Sequence, residues 1–198
     1  TSLSHTVQYR YDYLTGRADE SQYFQISGLT LGLAKRLKKP DDFFTLSQAI
    51  SYQYYDLNNY YTGLFTFGDG SANNLNYTVS LSRNNTFTNP IFPTGGSKFT
   101  ISGKITPPYS LINGIDFSNL ENRKEFQLPN GEPDVAKIDQ EKFRWLEYYK
   151  LKFNGEWYTS IIGKLVFKAQ TDFGFIGVYN QERGSIPFER FYLGGDGM

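Results

Sequence analysis

Few residues in this chain could do covalent chemistry. It holds one histidine, His5, and no cysteine among 198 residues. That inventory excludes thiol nucleophiles, disulfide scaffolds, cysteine zinc sites and catalysis by a histidine pair. His5 shares parity with Val7 and Tyr9, which puts it on the apolar side of a strand-like segment. A general base belongs at a wet lumen or mouth, so His5 reads as an interfacial residue. Asp69-Gly70-Ser71 offers oxygen ligands to calcium but lacks the further spaced carboxylates of a calcium loop, and reads as a turn. Asn76-Tyr77-Thr78 and Asn84-Asn85-Thr86 match the glycosylation pattern, yet Asn76 falls inside a strand pattern. No enzymatic activity, cofactor or metal is expected.

The chemistry that remains is electrostatic. Lys98, Lys104, Lys142, Arg144, Lys150, Lys152, Lys164 and Lys168 recur on the polar parity of strand-like segments. They would either line an anion-selective pore or pair with acids on loops folded against them. Lys+Arg and Asp+Glu are equal at 20 each, which favours pairing. The zero net charge also leaves no concentrated positive surface for nucleic acid.

The elements that position these cations follow from period-2 alternation. Apolar residues alternate with polar ones over residues 7–13, 27–37, 44–54, 74–82, 98–105, 143–153 and 157–170. Successive side chains on a strand point to opposite faces, so each segment has one apolar and one polar face. Seven strands are expected, each about 9–13 residues, a length that suits tilted membrane-spanning strands. The sixth is read from Phe143, in preference to a helix over residues 134–149. Residues 38–42, 89–96 and 154–156 form short connections, the last holding the Asn-Gly hairpin signal. Residues 14–22 form a moderate connection, 55–73 a long one and 107–141 a longer one, and the tail from Asp172 is long. Short and long connections take turns, as in outer-membrane barrels with short periplasmic turns and long outer loops. Strands starting near Val7, Phe44, Phe99 and Trp157 then run outward.

A soluble sandwich binding module would also alternate, with its apolar face inward. Three features favour the membrane. The strands exceed the usual sandwich length. Aromatic residues, 18% of the chain, gather near strand ends, as at Tyr52, Tyr54, Tyr55, Trp157 and Tyr158. The polar parity carries cations along its length. The odd strand count would leave open edges in lipid, which implies that residues 1–198 are part of a larger barrel domain.

Three stretches carry a family resemblance. Leu33 to Phe44, with the turn Lys39-Pro40-Asp41-Asp42, resembles an inward strand and periplasmic turn of BamA-type insertases. Phe92-Pro93-Thr94-Gly95-Gly96-Ser97 resembles that family's aromatic-Pro-x-x-Gly-Ser turn. The stretch from Pro187 to Gly195, with Phe188, Phe191, Tyr192, Gly194 and Gly195, resembles the start of its sixth outer loop. The chain is similar to the fifth to eleventh of sixteen strands. The resemblance implies an all-β fold: part of a transmembrane antiparallel up-and-down barrel, without the first and last barrel strands or the POTRA domains. It implies residence in the outer membrane of a Gram-negative bacterium, against lipid and lipopolysaccharide. It implies insertion of nascent β-barrel clients together with lipoprotein subunits of an assembly complex. It also implies a sixth loop in the lumen, where the cations would pair with its acids. The related translocation paralogues share these strands. A passive porin or transporter with a cation-rich lumen is the rival reading. The connection 107–141 is expected to form an outer cap or a docking surface.

Overall fold

Period-2 alternation builds a single antiparallel sheet of seven strands in sequential order. The structure is a computed structural model and describes residues 1–61, 67–86, 93–114, 116–184, 186, 189 and 191. The strands are β1 (Ser2–Asp12), β2 (Arg17–Arg36), β3 (Phe44–Asn58), β4 (Gly70–Asn84), β5 (Gly96–Ile105), β6 (Tyr149–Ile162) and β7 (Leu165–Gly177). Each pairs only with its sequence neighbours, so the sheet is an up-and-down meander, the wall of a half-barrel. Two helices lie between β5 and β6: α1 (Tyr109–Asn113) and α2 (Val135–Phe143).

One face of the wall is apolar and uncovered. Leu46, Leu81, Ile101, Phe153 and Phe173 face one another across β3 to β7. Leu31, Ile50, Tyr77, Ile105 and Tyr149 make a second row across β2 to β6. Ile50 is 54% exposed and Phe173 57%. A sandwich would cover this face with a second sheet, and the described residues contain none. An apolar face this broad belongs against lipid. No helix among the described residues is long and apolar enough to cross a membrane, so any crossing is made by strands.

The opposite, inner face is neutral and small on β3 and β4, with Ser47, Ser51, Asn76 and Thr78, and charged on β5 to β7. The packed core lies on this face at the long-connection end. Phe24, Tyr55, Leu57 and Ala72 from the strands meet Phe67, Phe143, Leu146, Tyr148 and Ile186 from the connections. A smaller cluster of Phe117, Leu120 and Ile138 holds the connection between β5 and β6 together.

Several expected boundaries move. The helix α2 occupies the start of the expected sixth strand. Asp134 caps it by accepting from the Lys137 backbone N–H at 3.2 Å. Ile138 and Phe143 on α2 are buried in the two clusters, and packing of that face outweighs the strand-like pattern after Phe143. Lys142 is therefore in the last turn of α2 and Arg144 is its C-cap; neither is a strand cation.

The Asn154-Gly155-Glu156 hairpin is also corrected. These residues sit in mid-β6, with Gly155 opposite both Phe99 and Thr171. Ladders on two sides hold the segment extended, and the Asn154 side chain donates to Asp172 Oδ1 at 2.5 Å instead of closing a turn. The hairpin turn falls at Gly163-Lys164, where Gly163 has φ +58°. Lys164 is thus a turn residue, and Trp157 and Ile161 belong to β6. The expected moderate connection 14–22 is a tight turn at 13–16. Asp12 Oδ1 and Oδ2 accept from Leu14 N at 2.9 Å and Thr15 Oγ1 at 2.8 Å, which lets β2 run for 20 residues.

Candidate functional site

The inner wall of β5 to β7 carries a loop anchor. Lys104 on β5 and Lys150 on β6 face one another across the ladder. Two like charges so close require a shared anion. Glu189, on the segment leaving β7, supplies it. Lys104 Nζ donates to Glu189 Oε1 at 2.6 Å and Lys150 Nζ to Oε2 at 3.0 Å. Lys150 Nζ also donates to the Glu189 backbone carbonyl at 2.6 Å. Tyr148 Oη donates to Oε1 at 2.9 Å, and Asn74 Nδ2 on β4 donates to Tyr148 Oη at 3.3 Å. The carboxylate is thus tied to three strands. Burial alone would raise the Glu189 carboxyl, but Lys104 and Lys150 outweigh it and hold the group below the usual carboxylate range.

Two residues on, Phe191 lies flat on the wall. Its ring faces Lys150 Nζ at 4.5 Å and Lys152 Nζ at 5.5 Å. The seat exists because β7 has a glycine there: a Cβ on Gly174 would lie 2.5 Å from the Phe191 ring. Nearer the strand end, Arg183 pins the same segment to the connection between β5 and β6. Its Nη1 is 2.7 Å from Glu147 Oε1, with both side chains almost fully buried. Arg183 Nη2 donates to the backbone carbonyls of Lys142 and Trp145. Ser110 donates from N and Oγ to Glu147 Oε1 and Oε2 at 2.5 and 2.6 Å, so both carboxylate oxygens have a donor. The segment after β7 is therefore held at three places along its run: Arg183, Glu189 and Phe191.

The other expected residues fall elsewhere. Lys168 pairs with Glu156 at 3.3 Å lower on the wall, and Lys98 lies opposite Glu156 across the β5–β6 ladder. Phe92, Phe188, Tyr192, Gly194 and Gly195 lie outside the described residues. Pro93 and Gly95 lead into Gly96, whose φ is +96°. A Cβ there would meet the Asn85 backbone oxygen at 2.3 Å, so glycine is required.

The two short turns of the sequence motifs meet. Asp41, in the turn Lys39-Pro40-Asp41-Asp42, accepts from Arg83 Nε and Nη2 at 2.9 and 2.8 Å. Arg83 Nη1 also donates to Ser97 Oγ at 3.1 Å, next to Gly96. Burial would raise the Asp41 carboxyl; Arg83 outweighs this and holds it low. Asp69 accepts from the Asn59 N–H at 2.6 Å, and Gly70 and Ser71 begin β4, paired with Leu57 and Asp56, where a turn was expected. Among the described residues no group of His, Asp or Glu could hold a metal.

Sequence reading missed Glu147, Asn74, Gly174, Arg183 and Arg83, and it counted Glu189 only as part of a motif. Each is a single polar or small residue whose partner lies on a distant element, a turn or connection far along the chain, so no local pattern marks it. Glu189 had one signal: it is the acid inside the Pro187–Gly195 stretch, facing a wall rich in lysine.

The whole chain, residues 1–198, matches the Omp85 superfamily domain. The chain belongs to the Omp85 superfamily. No curated protein matches it. Omp85 proteins are outer-membrane proteins of Gram-negative bacteria or of organelles, and act as insertion or translocation barrels for proteins. In this Omp85 chain the apolar rows face lipid and the loop anchor faces the barrel interior.

Proposed function

We propose that this Omp85 domain is the central wall of a BamA-type assembly barrel, which folds and inserts β-barrel clients into the outer membrane of a Gram-negative bacterium. In this reading the chain supplies seven of sixteen strands. Among the described residues β1 and β7 each have one unpaired edge, and lipid tolerates no such edge, so further strands of the same barrel would pair with them. POTRA domains and lipoprotein subunits would act from the periplasm, and lipopolysaccharide would surround the outer rim. The activity is non-enzymatic: strand pairing at a barrel edge gives a client its hydrogen bonds, by β-augmentation.

The observation that supports this reading over a passive pore is the use of the wall lysines. Lys104 and Lys150 are engaged by Glu189, and Phe191 covers Lys150 and Lys152. A segment seated on the inner face of β5 to β6 takes up the wall lysines, which an open pore would leave to water and solute. The test is to reconstitute the complete barrel in liposomes and follow two readouts. The reading expects faster folding of a client barrel and little solute-driven swelling. Swelling without faster client folding would replace it with the porin reading.

A further inference from the structure

The end of β2 and the turn after it carry four cations in five residues: Lys35, Arg36, Lys38 and Lys39. Arg36 Nε donates to the Asp42 backbone carbonyl. Among the described residues the side chains of Lys35, Lys38 and Lys39 have no hydrogen-bond or ion-pair partner, and all three residues are exposed. Of the two acids in this turn, Asp41 is taken by both Nε and Nη2 of Arg83, which leaves Asp42 as the one remaining carboxylate beside the lysines. The other short turns differ. Gly163-Lys164 has one cation, and Arg83 beside the β4–β5 turn is already paired.

Position selects the occupant. Lys35 shares the parity of Leu29, Leu31, Leu33 and Leu37, so it stands on the lipid-facing side near the short-turn end of the apolar run. A lysine there lays its stem along the apolar wall and lifts its ammonium to headgroup depth. Lys38 and Lys39 follow in the turn, and Phe43 beside them is 48% exposed, as an aromatic anchor at a membrane interface is. We propose that Lys35, Lys38 and Lys39 form a headgroup site for an anionic phospholipid in the leaflet at the short-turn, periplasmic end. Three point charges that outnumber the turn's remaining acid, Asp42, recognise a phosphate diester, and the apolar parity above them accommodates its acyl chains. The Arg83–Asp41 clamp contributes by holding the turn and by keeping Asp41 away from the lysines. The inference rests on the apolar face lying in lipid.

The test uses the full barrel in bilayers of phosphatidylcholine doped with spin-labelled phosphatidylglycerol or spin-labelled phosphatidylcholine. The motionally restricted fraction reports relative association. Wild type should prefer phosphatidylglycerol. Each lysine contributes about fivefold and the three together roughly a hundredfold at low salt, so the K35Q/K38Q/K39Q variant should lose the preference. K164Q, which removes one charge from another turn at the same end, should retain it. Equal preference in wild type and the triple variant would overturn the site. Abolition of the preference by excess inorganic phosphate would reassign the cluster to soluble anions, and no preference alongside cross-links from Lys38 or Lys39 to an acidic protein would reassign it to a periplasmic partner. A barrel that shows no restricted lipid of either kind would contradict the membrane reading itself, a separate failure.

Discussion

Replacing Glu189 by Gln tests the loop anchor at its centre. The change keeps shape and removes one negative charge. In the native wall that charge is shared by Lys104 at 2.6 Å and Lys150 at 3.0 Å, with side-chain exposures of 26% and 9% against 12% for Glu189. Breaking a fully buried pair costs about 3–5 kcal/mol, chiefly because a buried charge is left alone. Lys150 keeps the Glu189 backbone carbonyl at 2.6 Å, and Lys104 is a quarter exposed, so both retain some solvation. The expected loss is therefore lower, about 2–3 kcal/mol, which opens the segment roughly 30- to 150-fold more often. Amide hydrogen exchange at Phe191 reads that opening directly, in detergent or nanodiscs, while exchange in β3 and β4 reports whether the wall is intact. The reasoning predicts faster exchange at Phe191 with the wall unchanged. Unchanged exchange at Phe191 would show that the three donors do not hold the segment.

Four further outcomes follow. The same exchange should depend on pH with a definite sign: the folded Glu189 carboxyl is held below its usual value, so its contribution is complete above the unfolded carboxylate pKa and is lost only as pH falls through the lower folded value; Phe191 protection should be flat through neutral pH and collapse in acid. Gly174→Ala should displace the Phe191 ring, since the added Cβ would lie 2.5 Å from it, and forfeit about 1–2 kcal/mol of two cation–π contacts, read as the same gain in exchange with Glu189 intact. Gly96→Ala should cost about 1–3 kcal/mol in unfolding, whereas Gly163→Asn, at φ +58° in open space, should cost less than about 1 kcal/mol. Arg183→Met alone should destabilise by about 3–5 kcal/mol because it strands the buried Glu147, and adding Glu147→Gln should recover much of that in a double-mutant cycle.

The sheet was legible because its signal is local. Leu29, Leu31 and Leu33 alternate with Thr30, Gly32 and Ala34, and one buried or lipid-facing side fixes the parity of the whole strand. The same parity put Lys104, Lys150 and Lys168 on the inner face. Turn chemistry was less reliable. Asn154-Gly155 reads as a hairpin when seen alone, but its outcome was set by ladders to β5 and β7 that no short window contains. The helix α2 had its Asp134 cap and the buried pair Ile138 and Phe143, a helical signal that the neighbouring strand pattern masked. The anchor was the least visible part. Lys104, Tyr148, Lys150, Gly174 and Glu189 meet only after four elements have come together, and nothing in a single charged residue announces its distant partner.

On the proposed function, this Omp85 wall belongs to a barrel that assembles other barrels, with the segment after β7 seated on its inner face. The most direct measurement is the folding rate of a client β-barrel into liposomes containing the complete protein, recorded with solute flux in the same vesicles. An assembly barrel should accelerate client folding with low flux, and lose the acceleration when the sheet edge is closed by an engineered disulfide. Client folding at the rate seen in empty liposomes, with free solute flux, would contradict it.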